Sequence, residues 1–239
     1  MTDYVLVHGS WLGGWSWEAV RPALESAGHR VLAPSLTGLA DRGHLAGPDV
    51  GLGTHIEDIV RLLTWEALDE VVLVGHSYGG MVITGVAGRL PQRLAHLVYL
   101  DAFRPEPGQS AFDVLPDLPR LFGEPPAEHP WGWGPLDPAL LGTTAPDEVD
   151  WLLRRATPMP TATHTEPLPP PSAPVEVPTT YVLGAALPLF AATADEAAAA
   201  GATVLRWEDA GHHLPLQFPQ RTAELLLALG GRGDQGGTG

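Results

Sequence analysis

An α/β fold on a doubly wound, mostly parallel sheet of about six strands is predicted by three features of the chain. Short apolar runs alternate with helical periodicity, one such run breaks into a glycine-framed turn, and a Pro-rich interruption of neither period separates the fourth run from the fifth. The strand runs are 4–7, 30–33, 71–74, 97–100, 180–183 and 203–207, each a short apolar stretch. Helical spacing falls between or after them at 17–27, 54–68, 78–90, 195–200 and 219–229. Residues 1–103 and 179–230 are therefore expected to form one core, and 231–239 are expected to be a Gly-rich flexible tail. The tail contains Arg232-Gly233-Asp234, which in an acidic chain reads as a chance adhesion-like tripeptide.

The interruption, residues 104–178, is too long for an ordinary connection and is expected to be a lid or cap over the strand ends. One helix is predicted within it at 147–156. The run 167–178 has the composition of an irregular surface loop, while Trp131, Trp133 and Trp151 require apolar burial.

Composition narrows the function. With 239 residues and 44% hydrophobic content, the chain can bury one substantial core. A net charge of −15 repels phosphate backbones and anionic lipid heads, so nucleic acid is an unsuitable partner. No apolar stretch reaches the ~18 residues of a membrane span, and the start of the chain lacks a basic leader, so a cytoplasmic protein is expected. With no cysteine there is neither disulfide nor thiolate, and with all 13 basic residues arginine there is no lysine to serve as Schiff base or general base. The many Ala, Gly and Pro residues point to a GC-rich genome.

The glycine-framed turn is Val71-Val72-Leu73-Val74-Gly75-His76-Ser77-Tyr78-Gly79-Gly80, a strand running into G-x-S-x-G and then into the helical pattern of Met81, Val82, Val86 and Leu90. This is a nucleophile elbow: the serine sits on a strained strand-to-helix turn whose glycines keep side chains out of its way. Ser77 is the candidate nucleophile. A serine hydroxyl needs a base, and His212, after the last strand and before the last helix, stands where the order serine-then-histidine requires it; His213 is the alternative. The first strand ends in His8-Gly9-Ser10-Trp11, whose glycine turn can aim the Ser10 N–H at a developing oxyanion beside the N–H of Tyr78. His8 is read as a brace for this loop. The ten histidines show no metal-ligand spacing, so neither metal nor cofactor is expected.

Taken together, the segments His8–Trp17, Ala27–Val31, the elbow, Tyr99–Phe103 and Ala210–His212 resemble the methylesterase and hydroxynitrile-lyase branch of the α/β-hydrolase fold and its bacterial relatives. The resemblance implies ester hydrolysis of small apolar or aromatic substrates by a Ser-His-Asp triad. Lyase members carry threonine at the position of Gly9 and lysine at that of His213, which favours esterase chemistry here. Epoxide hydrolases and haloalkane dehalogenases of this fold put aspartate where Ser77 stands.

One departure matters. The triad aspartate of the family belongs in the loop after the strand 180–183, and that loop reads Gly184-Ala185-Ala186-Leu187-Pro188, with Leu187 near the acid's position and no carboxylate between Glu176 and Asp195. Asp101, at the end of the strand after the elbow, is the leading replacement; tying down the entry to the insertion is its competing role. Asp195 and Asp209 are weaker candidates.

The expected activity is a serine hydrolase of esters, lactones or thioesters acting through an acyl-enzyme, on a small-molecule substrate walled by Trp11, Phe103, Trp131, Trp133, Tyr78 and His213. The alternatives are a non-hydrolytic enzyme of natural-product biosynthesis that uses the same Ser/His pair for cyclisation, aldol-type or C–C cleaving chemistry, and a binding protein on a retired scaffold. A monomer or homodimer is expected.

Overall fold

The computed structural model describes residues 1–231. Beyond Gly231, the expected tail and its Arg-Gly-Asp lie outside the described residues. In chain order the elements are β1 (Asp3–Val7), α1 (Arg21–Ser26), β2 (Arg30–Leu32), α2 (Leu52–Trp65), β3 (Val71–His76), α3 (Gly79–Arg89) and β4 (Leu94–Leu100). Residues 104–178 then hold α4 (Ala111–Val114), α5 (Leu118–Phe122), β5 (Gly132–Trp133), α6 (Pro146–Arg155), β6 (Met159–Pro160) and α7 (Ala162–Thr165). The chain returns through β7 (Thr179–Gly184), α8 (Ala191–Ala199), β8 (Thr203–Trp207), α9 (Leu214–Gln217) and α10 (Pro219–Gly230).

Among the described residues the main sheet has six strands in the order β2-β1-β3-β4-β7-β8, all pairs parallel. Alternate residues of each strand feed opposite faces, so apolar strands mean two cores. Val5, Leu73, Tyr99 and Tyr181 pack with Ile56, Ile59, Val82 and Ala194 from α2, α3 and α8. Tyr4, Leu6, Val74, Val98 and Val182 face the other way, onto Trp17, Leu24, Leu226 and Leu229. Burying each such aliphatic side chain is worth about 1.5–3 kcal/mol over leaving it in water, which makes this register far better than a one-residue slip.

Helix α2 buries Leu52, His55, Ile56, Ile59, Val60 and Leu63, a stripe at helical spacing that includes a histidine. The predicted helix 17–27 divides into a 3-10 turn, Gly14–Trp17, and α1, with Pro22 in the first turn of α1, where its missing N–H costs no hydrogen bond. The predicted helix 147–156 corresponds to α6. The Pro-rich run 167–178 has no helix or strand but rests on α3, with the Ser172 N–H donating to the Gly88 carbonyl at 2.8 Å and Leu168 buried.

Candidate active site

Strands β3 and β4 are neighbours, paired from Val72↔His96 to His76↔Leu100, and each is followed by a residue in the left-handed region: Ser77 at φ 54° and Asp101 at φ 44°. For residues with a Cβ this conformation costs of order 1–3 kcal/mol and survives only where the surroundings enforce it. Around Ser77 they do. Its carbonyl accepts the N–H groups of Gly80 and Phe103 at 3.0 and 3.1 Å. A Cβ on Gly79 would sit 2.5 Å from the Val7 carbonyl oxygen, and one on Gly80 would sit 1.9 Å from that of Phe103. The turn closes only because both are glycine.

The imidazole of His212 lies between the two strand ends. Its Nδ1–H donates to Asp101 Oδ2 at 2.7 Å, and Nε2 accepts the Ser77 hydroxyl at 2.9 Å. Asp101 Oδ1 accepts the Gly184 N–H at 2.9 Å, so both carboxylate oxygens are engaged and the acid is locked in place. Asp101 is wholly buried; burial pushes its carboxyl up, against the opposing pull of the His212 hydrogen bond. The His212 main chain is held as well, its carbonyl accepting Nε2–H of His76 at 2.9 Å and its N–H donating to Leu141 at 3.2 Å.

The loop after β7, where the family's acid belongs, supplies an aromatic wall. Phe190 stacks on the His212 ring at 5.8 Å and 24°, and meets Phe103 edge-on at 4.9 Å. Asp195 and Asp209, the weaker acid candidates, are paired at the surface with Arg206 and Arg221. His213 bonds Thr143 Oγ1 through Nδ1 at 2.8 Å, and burial lowers its pKa to about 3.

Among the described residues, neither the Ser10 nor the Tyr78 N–H donates to a main-chain acceptor. His8 sits behind them, its Nδ1–H donating to the Gly9 carbonyl at 2.8 Å and its Nε2 accepting the Leu36 N–H at 3.0 Å. The Tyr78 ring is turned into the core, where its hydroxyl donates to His55 Nδ1 at 3.0 Å and His55 Nε2–H donates to the Thr37 carbonyl at 2.8 Å.

Of the expected wall residues, Trp11, Phe103 and Trp133 share one aromatic cluster: Trp11 and Trp133 each meet Phe122, and both Phe103 and Trp133 meet the ring of His164. Trp131 stands outside that cluster, with its ring against His129. Trp131 lies just before β5, and its carbonyl accepts the Thr161 N–H at 2.8 Å. His164, Phe112, Phe122 and Phe190 escaped the reading of the sequence because they lie in short elements or loops without periodicity. His55 could have been found: it is a histidine on the apolar stripe of α2.

A void of about 30 Å³ touches Ser10, Trp11 and His213, room for little more than a water molecule. Ser77 itself is 8% exposed.

The chain matches the alpha/beta hydrolase family over residues 4–225. It is 46% identical over 179 residues to the carbendazim hydrolyzing esterase of Nocardioides sp. (strain SG-4G), covering 70% of this chain and 73% of that protein. It is 34% identical over 139 residues to methylesterase 8 of Arabidopsis thaliana, covering 58% of this chain and 50% of that one, so the chain spans about half the length of that plant relative. Among solved structures, an extracellular alpha/beta-hydrolase from a Paenibacillus species superposes with a TM-score of 0.83 over 96% of this chain and 99% of that one, at 23% identity. A pyrethroid hydrolase from Sphingobium faniae superposes with a TM-score of 0.77 over 96% and 97%, at 25% identity. A parallel sheet carrying a serine elbow, with a histidine reaching it from the C-terminal end of the chain, thus belongs to a known lineage: the chain is a member of the alpha/beta hydrolase family.

Proposed function

We propose that this protein is a serine hydrolase that cleaves an ester, lactone or thioester of a small apolar or aromatic substrate through an acyl-enzyme. The observation that carries the reading is the unbroken relay Ser77 Oγ–His212–Asp101 with links of 2.9 and 2.7 Å. In this reading the Ser77 oxygen attacks the substrate carbonyl as its proton passes to His212 Nε2, and Asp101 holds the ring orientation and stabilises the imidazolium. The negative charge on the carbonyl oxygen is received by the N–H groups of Ser10 and Tyr78. Collapse expels the alcohol or thiol, which leaves with the proton from His212. Water then attacks the acyl-enzyme with His212 as base, and the acid product and free Ser77 result.

Two further observations support hydrolysis over cyanohydrin cleavage. A Cβ at Gly9, the position of the lyases' threonine, would lie 2.9 Å from the Ser77 Cβ, and His213 replaces their lysine. The aromatic cluster of Trp11, Phe103, Phe122 and Trp133 favours a flat apolar group, in keeping with relatives named for hydrolysing carbendazim and pyrethroids.

The test is a rapid-mixing assay with a p-nitrophenyl ester, together with a fluorophosphonate label located by mass spectrometry. The proposal expects a burst of one p-nitrophenol per active site and labelling at Ser77, both absent in Ser77→Ala. A folded wild-type protein that neither bursts nor labels would overturn it.

A further inference from the structure

The turn that presents the Ser10 N–H is loosely closed within itself. Its internal hydrogen bond, Leu12 N–H to the Gly9 carbonyl, is long at 3.4 Å, and Trp11 stands at φ 62°. Beside the bond from His8 Nδ1–H to the Gly9 carbonyl, three ties from residues 104–178 hold it. The Trp11 carbonyl accepts the Thr157 N–H at 3.0 Å, the Trp11 indole N–H donates to the Trp133 carbonyl at 3.1 Å, and the Ser10 side chain bonds His164 Nε2 at 3.1 Å.

The direction of the last bond follows from its neighbours. Thr163 Oγ1 donates to the Pro160 carbonyl at 2.5 Å, which leaves its oxygen to accept Nδ1–H of His164 at 2.9 Å. Nε2 therefore carries the lone pair, and the Ser10 hydroxyl is the donor. His164 is completely buried among aromatic rings, and burial lowers its pKa to about 3, so this tautomeric chain persists through the neutral range. The same imidazole lies nearly flat on Tyr78, at 5.0 Å between centroids and 24° between planes. One side chain from the insertion thus touches both residues whose N–H groups face the developing charge.

We propose that His164 is a positioning residue for the oxyanion hole: by accepting the Ser10 hydroxyl and stacking on Tyr78 it sets the spacing of the two N–H donors. The hole is complete only while residues 104–178 are docked. Misplacing a donor by a fraction of an ångström weakens stabilisation of the transition state far more than ground-state binding, so the loss falls on kcat. This inference rests on the hydrolase reading above.

The test compares His164→Phe, which keeps a ring but loses the acceptor, with His164→Gln, which places an acceptor near the Nε2 position, and with Ser10→Ala. Steady-state hydrolysis of p-nitrophenyl butyrate is measured for each and for the double variant Ser10→Ala/His164→Phe. His164→Phe and Ser10→Ala each lower kcat by about 10- to 100-fold with little change in KM, the double variant is no worse than the poorer single one, and His164→Gln recovers most of the rate. The Ser10 amide resonance, read by NMR without substrate, moves in His164→Phe and returns in His164→Gln. An active wild type whose kcat is untouched by His164→Phe, additive losses in the double variant, or an unmoved Ser10 amide would overturn the inference. A wild type inert toward esters whose Ser10 amide still follows His164 would instead remove the hydrolase reading and leave the positioning contact standing.

Discussion

Ser77 and Asp101 end adjacent parallel strands in the same rare backbone conformation, at φ 54° and 44°, and meet the two nitrogens of one imidazole. The shared geometry has a common cause. Each residue must turn its side chain up from the sheet edge while its strand still hydrogen-bonds to a neighbour: the Ser77 N–H donates to Leu100 at 3.3 Å and the Asp101 N–H to Val182 at 2.7 Å. An acid at the end of β4 therefore reaches His212 as directly as one from the loop after β7 could, and that loop is left to Leu187 and Phe190.

The elbow depends on missing side chains. Gly80→Ala puts a Cβ 1.9 Å from a backbone oxygen that cannot rotate away, and is expected to destabilise the fold by about 3 kcal/mol and to abolish Ser77 labelling. Gly43→Ala, whose new methyl meets nothing within 4 Å, should stay within about 0.5 kcal/mol of wild type in urea denaturation. Equal effects of the two substitutions would contradict this account.

Tyr78 separates main-chain from side-chain roles. Tyr78→Phe removes the hydroxyl that serves His55 and leaves a buried imidazole nitrogen unpaired, a cost of about 1–3 kcal/mol in stability. The main-chain N–H is unaltered, so kcat should stay close to the wild-type value. A collapse of kcat without loss of stability would place the hydroxyl itself in the chemistry.

Acid sensitivity follows from the buried histidines. Burial lowers His8 and His55 to about 4, and His164 and His213 to about 3, from an ordinary value of 6.5. Below pH 6.5 the unfolded chain takes up protons that these folded sites refuse, so stability falls as pH falls. Each histidine contributes up to about 1.4 kcal/mol per pH unit until its folded pKa is reached. Asp101, raised by burial, works in the opposite sense at lower pH. Urea denaturation at pH 7.5, 6.5, 5.5 and 5 should show a midpoint that is flat above 6.5 and declines below it; a midpoint that holds steady down to pH 5 would contradict the buried neutral rings.

The six core strands were legible because each is apolar on both faces, and Ser77 and His212 because a glycine turn after one strand and a Gly-His pair after another mark them in the chain. Asp101 was a candidate because it ends the strand beside the elbow, the loop after 180–183 offering no carboxylate where the resemblance places the acid. His164 was not legible: it lies 154 residues from Ser10, in a four-residue helix within a proline-rich segment, and only tertiary packing brings it there. Trp131 and Trp133, which flank Gly132, gave no sign of which ring would turn inward.

The most direct measurement is kcat/KM of Asp101→Asn for a p-nitrophenyl ester, with the thermal midpoint recorded alongside. If Asp101 is the acid that orients His212, the value falls by about 10⁴ while the protein remains folded. An Asp101→Asn protein within tenfold of the wild type would show that the imidazole is held by something else.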